Sequence, residues 1–238
     1  MLEAHVVDSI VFQSNCEFCD EFAGSLSNSF HARYQGSPGS RFVLSTDNFH
    51  VFPTIGQIVD GYLLAVPKRH YAALDEMPQV LWVEFERIYD RVRWTLSNLY
   101  GPCIAYEHGA RRAGVGGCGI YHAHLHVVPL ARASDPIELL KLKFPYEEFA
   151  DLSEIGKQSA GLTSYLFYQD SDARLYVFDT GPLPSQYMRK VLANALGQQD
   201  WNWRDAGREE RLLATIRRLS GRFDSAQDFA HIPTHDAL

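Results

Sequence analysis

Residues 121 to 129 read Tyr121-His122-Ala123-His124-Leu125-His126-Val127-Val128-Pro129, with histidine at every second position and apolar residues between. Alternate side chains of an extended chain leave opposite faces. The pattern therefore predicts a β-strand with three imidazoles on one face and Ala123, Leu125 and Val127 packed on the other. Three adjacent imidazoles cannot all be buried in their charged form, because each protonated ring raises the cost of the next. Some must be neutral, metal-bound or paired with an anion. Three readings follow: a half-buried strand whose polar face happens to carry histidine, a metal site built on all three rings, or nucleophilic catalysis at phosphorus. In the last, a neutral imidazole attacks while its neighbours hold its tautomer and the phosphate oxygens.

Just upstream, residues 102–107 predict a further strand that runs into a loop over 108–119. Five glycines stand between positions 109 and 119. Glycine lets a backbone approach a ligand closely and turn its N–H groups towards anionic oxygen. Directly before the histidine strand, the loop reads as a phosphate cradle, with Gly117 and Gly119 as main-chain donors and Arg111 and Arg112 as charge partners. A plain solvated loop is the alternative.

Further out, Leu81, Phe85, Ile88, Val92 and Leu96 step by three and four, which predicts an amphipathic helix from Pro78 to about Leu99 that packs on the sheet. Residues 41–45, 49–54 and 61–67 are β-branched and aromatic runs separated by turn formers, and predict three antiparallel strands. Residues 24–41 read as a loop with room for a short turn of helix. After the histidines come a short helix over 136–144 and a hairpin from 162–168 and 174–179. Helices over 185–196, stopped by Gly197, and 209–219 follow. The class is α+β: an antiparallel sheet packed by helices, as a domain over 1–135 with a hairpin-plus-helices extension over 136–238 packed on it. Ser185, Gln186 and Arg189 fall at a predicted helix N-terminus, where an anion is favoured. The plainer reading there is a helix cap with a surface arginine.

The chain has 238 residues, 46% of them apolar and 21% charged, which is enough to bury a sizeable core. A formal charge of −7 argues against non-specific binding to a nucleic acid polymer, which needs a basic footprint, but leaves a small nucleotide open. We expect no signal peptide and no membrane span. Four cysteines, two of them close together, point away from a secreted disulfide scaffold and towards a cytoplasmic protein. Cys16 and Cys19 form a Cys-x-x-Cys, read either as a redox pair or as half of a zinc site that histidines must complete.

The run from His122 to Val128 fits, at every position, the His-φ-His-φ-His-φ-φ signature of the histidine-triad family, φ being apolar, and the chain resembles that family. The phrases Glu107-His108-Gly109, 183–189 and 200–204 resemble its longer bacterial members. The resemblance implies a structural zinc on Cys16, Cys19, His70 and His122. It also implies a small-molecule nucleotide as substrate, bound near Phe52, Thr54 and Ile55. His124 would be the nucleophile, forming a covalent nucleotidyl-histidine at the α-phosphate. His126 would stabilise the developing charge, and His122 would orient His124. Two departures are visible: Thr54 stands where the family often has an acid for the ribose, and Gly119 where many members have a serine near the phosphate. His126 in the third position tilts the expectation to a hydrolase, with a nucleotidyl transferase or phosphorylase beside it. Phosphoramidates, dinucleoside polyphosphates and nucleotide conjugates are the substrate classes, and a nucleotide sensor with little turnover is the reading from another class. Family members often pair as homodimers that share a sheet, a contact for which the C-terminal extension is the alternative occupant.

Overall fold

The computed structural model describes residues 15–110 and 119–223. The strands are β1 (Leu44–Ser45), β2 (Phe49–Pro53), β3 (Leu63–Pro67), β4 (Cys103–Ala110), β5 (Leu125–Pro129), β6 (Tyr146–Phe149), β7 (Ser164–Gln169) and β8 (Leu175–Asp179). They form one eight-stranded sheet in the order β1-β2-β3-β5-β4-β7-β8-β6, with every neighbouring pair antiparallel. This is the α+β sheet expected from the sequence.

Both faces of the sheet are covered, so its central strands are buried from end to end rather than on alternate residues. Phe49, Val51, Leu63, Ala65, Leu125, Val127, Phe167 and Val177 form one face. Over it lies α3 (Gln79–Tyr100), a 22-residue helix that begins after Pro78 and buries Trp82, Phe85, Ile88, Val92 and Leu96. Phe52, Leu64, Val66, Ile104, Tyr106, Val128 and Tyr168 form the other face. Covering it are α1 (Glu17–Phe22) through Phe18, α4 (Ile137–Lys143) through Leu140, and α6 (Tyr187–Ala195) through Met188 and Leu192. Three further α-helices stand among the described residues: α2 (Ser29–Tyr34), α5 (Ile155–Gln158) and α7 (Glu209–Leu219). α2 is capped by the Asn28 side chain, which accepts the His31 N–H at 2.8 Å. α7 brings Leu212 against Phe30, Tyr34 and Ile55.

Two differences from the sequence reading bear on the site. The strand expected to end at residue 107 continues to Ala110, because β7 pairs with it as far as Gly109↔Tyr165 and Ala110↔Ser164. His108 therefore belongs to the sheet and not to a loop. β5 itself begins only at Leu125, so His122 and His124 lie on its run-in, where the Ala123 N–H donates to the Tyr71 carbonyl at 2.7 Å. The C-terminal hairpin β7–β8 does not form a layer of its own; it extends the sheet through β4. Among the described residues no helix is long and apolar enough to cross a membrane.

Candidate active site

α1 starts at the Cys-x-x-Cys. Cys16 is its N-cap and Cys19 lies in its first turn and a half, so both thiols face the sheet. They meet His70, just beyond β3, and His122, on the run-in to β5; the four ligand atoms lie within 4.8 Å of one another. The Cys16 Sγ to His122 Nδ1, Cys19 Sγ to His70 Nδ1 and Cys19 Sγ to His122 Nδ1 separations are 3.4, 3.5 and 3.6 Å. A tetrahedral zinc with ordinary Zn–S and Zn–N bonds gives S···N edges of about 3.6 Å. The second nitrogen of His122 is also committed: Nε2–H donates to the Pro67 carbonyl at 2.7 Å, which turns the Nδ1 lone pair towards the thiols. Burial holds His122 neutral, its pKa lowered to about 3, and pushes the Cys16 thiol up to about 12. Two buried thiols become thiolates only beside a cation, so this donor set fits a metal of zinc's chemistry.

His124 and His126 follow on the face of Leu64, Tyr106 and Val128, with 5% exposure each. His124 Nδ1 lies 2.5 Å from the backbone carbonyl of His122. A carbonyl only accepts, so Nδ1 carries the proton and Nε2 the lone pair. The rim of Phe18 packs on the His124 ring at 5.3 Å. His126 stacks on Tyr106, its cross-strand partner, with ring centroids 4.2 Å apart. Its Nδ1 is 2.8 Å from the Tyr62 hydroxyl, which is in close contact with that of Tyr106.

Both rings line a cleft of about 600 Å³, open solvent at its mouth included. Phe18, Phe30, Ile55 and Trp203 are among its apolar lining, and His108, His124, His126, Gln186 and Arg189 among its polar lining. Glu21 also lines it but is neutralised by Arg41, which donates to both its carboxylate oxygens at 2.8 and 2.7 Å. Arg189 is different. Among the described residues its guanidinium hydrogen-bonds only the main-chain carbonyls of Trp201 and Gly56, and Nη1 is buried with no hydrogen-bond partner. A flat apolar pocket beside unmatched nitrogen donors suits a ligand with an aromatic ring at one end and an anion at the other.

No protein-family model matches this chain. Several of its structural neighbours are histidine-triad proteins. A hypothetical histidine triad nucleotide-binding protein from Sulfolobus tokodaii is 19% identical, at TM-score 0.32 over 37% of this chain and 59% of that one. A Hit-like protein involved in cell-cycle regulation from Bartonella henselae is 15% identical, at TM-score 0.39 over 50% and 79%. A zinc-bound histidine triad family protein from Mycobacterium smegmatis is 20% identical, at TM-score 0.32 over 44% and 76%. This chain thus spans less than two thirds of the Sulfolobus protein's length.

Of the residues singled out in the sequence, His124, His126, Thr54, Ile55, Gly119, Gln186 and Arg189 line the one cleft. Cys16, Cys19, His70 and His122 meet beside it. Phe52 is fully buried under Arg41, with the guanidinium 4.3 Å from its ring, and Ser185 is exposed; neither lines the cleft. Ser185 caps nothing: α6 starts at Tyr187 without a side-chain cap. Gln186 instead ties down the segment after α6, donating to Asn202 Oδ1 at 2.7 Å and accepting from the Trp203 N–H at 3.2 Å. Arg111, Arg112 and Gly117 lie outside the described residues.

Sequence reasoning missed the Tyr62–Tyr106 pair, Arg41 and Trp203. For Tyr106 a signal was present, since it shares the parity of Ile104 on a strand expected beside the triad. Trp203 lies in the phrase 200–204, which was singled out for its resemblance alone, and for Tyr62 and Arg41 there was no signal, because each arrives from a part of the chain far from the histidines.

Proposed function

We infer that this protein is a histidine-triad enzyme that acts on the α-phosphate of a nucleotide substrate, as a hydrolase or nucleotidyl transferase, through a covalent nucleotidyl-histidine on His124. The observation that carries the reading is the bond from His124 Nδ1–H to the His122 carbonyl, which puts the lone pair on Nε2 of a ring that lines the cleft. A neutral imidazole in that tautomer is a competent nucleophile.

The substrate's base and ribose lie against Phe30, Ile55 and Trp203, and its phosphates against the histidines and Arg189. Nε2 attacks phosphorus and the bond to the leaving group breaks; a phosphate or nucleotide leaves as an anion. Tyr106 donates to Tyr62 and Tyr62 to His126 Nδ1, which keeps the His126 proton on Nε2, where it meets a non-bridging oxygen as charge develops. The Arg189 guanidinium, already fixed by two carbonyls, gives its remaining donor to the phosphate chain without losing side-chain freedom at that moment. Water or another acceptor then displaces His124. Zinc, when bound to Cys16, Cys19, His70 and His122, supplies a structural clamp between α1 and the triad.

Quenching in alkaline detergent, which denatures the protein but spares an acid-labile phosphorus–nitrogen bond, within the first turnover of a dinucleoside polyphosphate labelled in its α-phosphates tests this. Label should stay on the protein, on a histidine, and be absent from His124→Ala. Turnover without a trapped adduct, and undiminished in the variant, would leave the chemistry to another group. Tight binding with no turnover on dinucleoside polyphosphates, phosphoramidates or nucleotide sugars would favour a nucleotide sensor.

A further inference from the structure

His108 is the one histidine of the cleft with no task in the mechanism above. Its ring is 7% exposed and lines the cleft, and neither Nδ1 nor Nε2 has a hydrogen-bond partner among the described residues. Burying both nitrogens of an imidazole unpaired costs more than any packing advantage of the ring over Phe or Leu. Among the described residues the protein offers those polar atoms no partner.

The sheet register says what those atoms face. β4 runs antiparallel to β5 with Tyr106 opposite His126. His108 lies two residues on along β4, on the face of Tyr106, and His124 lies two residues back from His126. Carried one step past the last ladder pair, that register sets His108 level with His124, on the run-in to β5. Its ring is held edge to face against Tyr106, with centroids 5.7 Å apart, and β7 pins its backbone through the His108↔Leu166 pairing. When Nε2 of His124 attacks, the three non-bridging oxygens spread around the attack axis. His126 meets that ring of oxygens from along β5. His108 stands where it meets them from β4.

We propose that His108 is a fourth phosphate-binding imidazole, donating an N–H to a non-bridging oxygen of the phosphoryl group that His124 attacks. This rests on His124 being the nucleophile, and it deepens that reading: two imidazoles, on adjacent strands, flank the attacked phosphorus. No bond is made or broken at His108, whose proton stays on the ring.

The test uses the full chain with its metal, inorganic phosphate as the probe and the histidine ring C–H resonances as the readout. His108→Phe keeps the ring and its contact with Tyr106 but has no donor; His108→Asn keeps a donor. Phosphate should shift the His108 resonance, identified by its loss in His108→Phe. That variant should bind phosphate about ten-fold more weakly, the effect of one charge-assisted hydrogen bond, with His108→Asn between it and wild type. With a substrate that turns over, kcat/KM should fall in the same order. A purely structural role predicts normal phosphate binding in His108→Phe. A His108 resonance that stays put while those of His124 and His126 move overturns the proposal. So does His108→Phe binding phosphate as wild type does, or wild type not binding it. Failure to trap an adduct would count against His124 as nucleophile alone, since the phosphate titration is read without turnover.

Discussion

The two faces of the sheet are made by the same strands and the same alternation, yet neighbouring residues of β4, Glu107 on one face and His108 on the other, meet opposite surroundings. On the α3 side Glu107 is buried among aromatic and aliphatic side chains, and both its oxygens are engaged: one accepts the Tyr165 hydroxyl at 2.8 Å, the other the Leu74 N–H at 2.7 Å. On the cleft side, His108 and one guanidinium nitrogen of Arg189 are also buried and have no hydrogen-bond partner among the described residues. A polar group whose capacity is filled by the protein stabilises the fold, whereas one kept empty at a cost is waiting for a ligand. By that criterion Glu107 belongs to the scaffold, while His108 and Arg189 are placed to meet a ligand in the cleft.

Substitutions can break or sharpen this contrast. The largest effect should come from His124→Ala, which we expect to lower turnover by on the order of 10³-fold or more while leaving the melting temperature nearly unchanged. Equal losses of activity and stability would place His124 with the scaffold. Next is Cys16→Ser, which should release the metal, found by elemental analysis at about one equivalent in wild type. The variant should melt well below wild type, and a chelator should lower the wild-type melting point but not the variant's. Metal retained in the variant would put the ligands elsewhere. On the other face, Phe85→Ala removes a fully buried ring between α3 and Phe49. It should cost about 3–5 kcal/mol in denaturant unfolding, with normal kcat in the folded fraction.

The smallest effect concerns pH. Burial pushes the Glu107 carboxyl up to about 8, against the donors from Tyr165 and Leu74. The folded chain therefore keeps a proton that the unfolded chain releases near the ordinary carboxyl value of about 4.3. This contribution to stability is complete below that value and is lost progressively as pH rises towards 8. Glu107→Gln, neutral at every pH, should flatten that decline in urea midpoints between pH 5 and 8. An unaltered slope would mean that Glu107 does not carry the proton.

What could be read in the sequence was what local periodicity writes there. The period of two over 122–128 and the three-and-four step from Leu81 to Leu96 each describe one face of one element, and each appears in the fold. The cysteine pair was legible as donors in search of histidines, since two thiols alone cannot close a tetrahedron. Position 108 was not legible as strand, because its place in the sheet depends on β7, far along the chain, and the glycines after it speak locally for a loop. β6 escaped for the same reason: Glu147 and Glu148 are exposed and carry no burial pattern, and only β8 makes them a strand. The helix cap expected of Ser185 failed where a longer-range demand won, with Gln186 taken up by Asn202 and Trp203.

The seating of β7 along β4 has a consequence for how this protein meets copies of itself. The outermost strands are β1, only two residues long, and β6, which presents two glutamates, and neither invites another chain to continue the ladder. The flank of β4 away from β5 is taken by β7, from the chain's own later half. The imidazole of His108 is therefore steadied by a strand of its own polypeptide, brought in from some sixty residues along the chain.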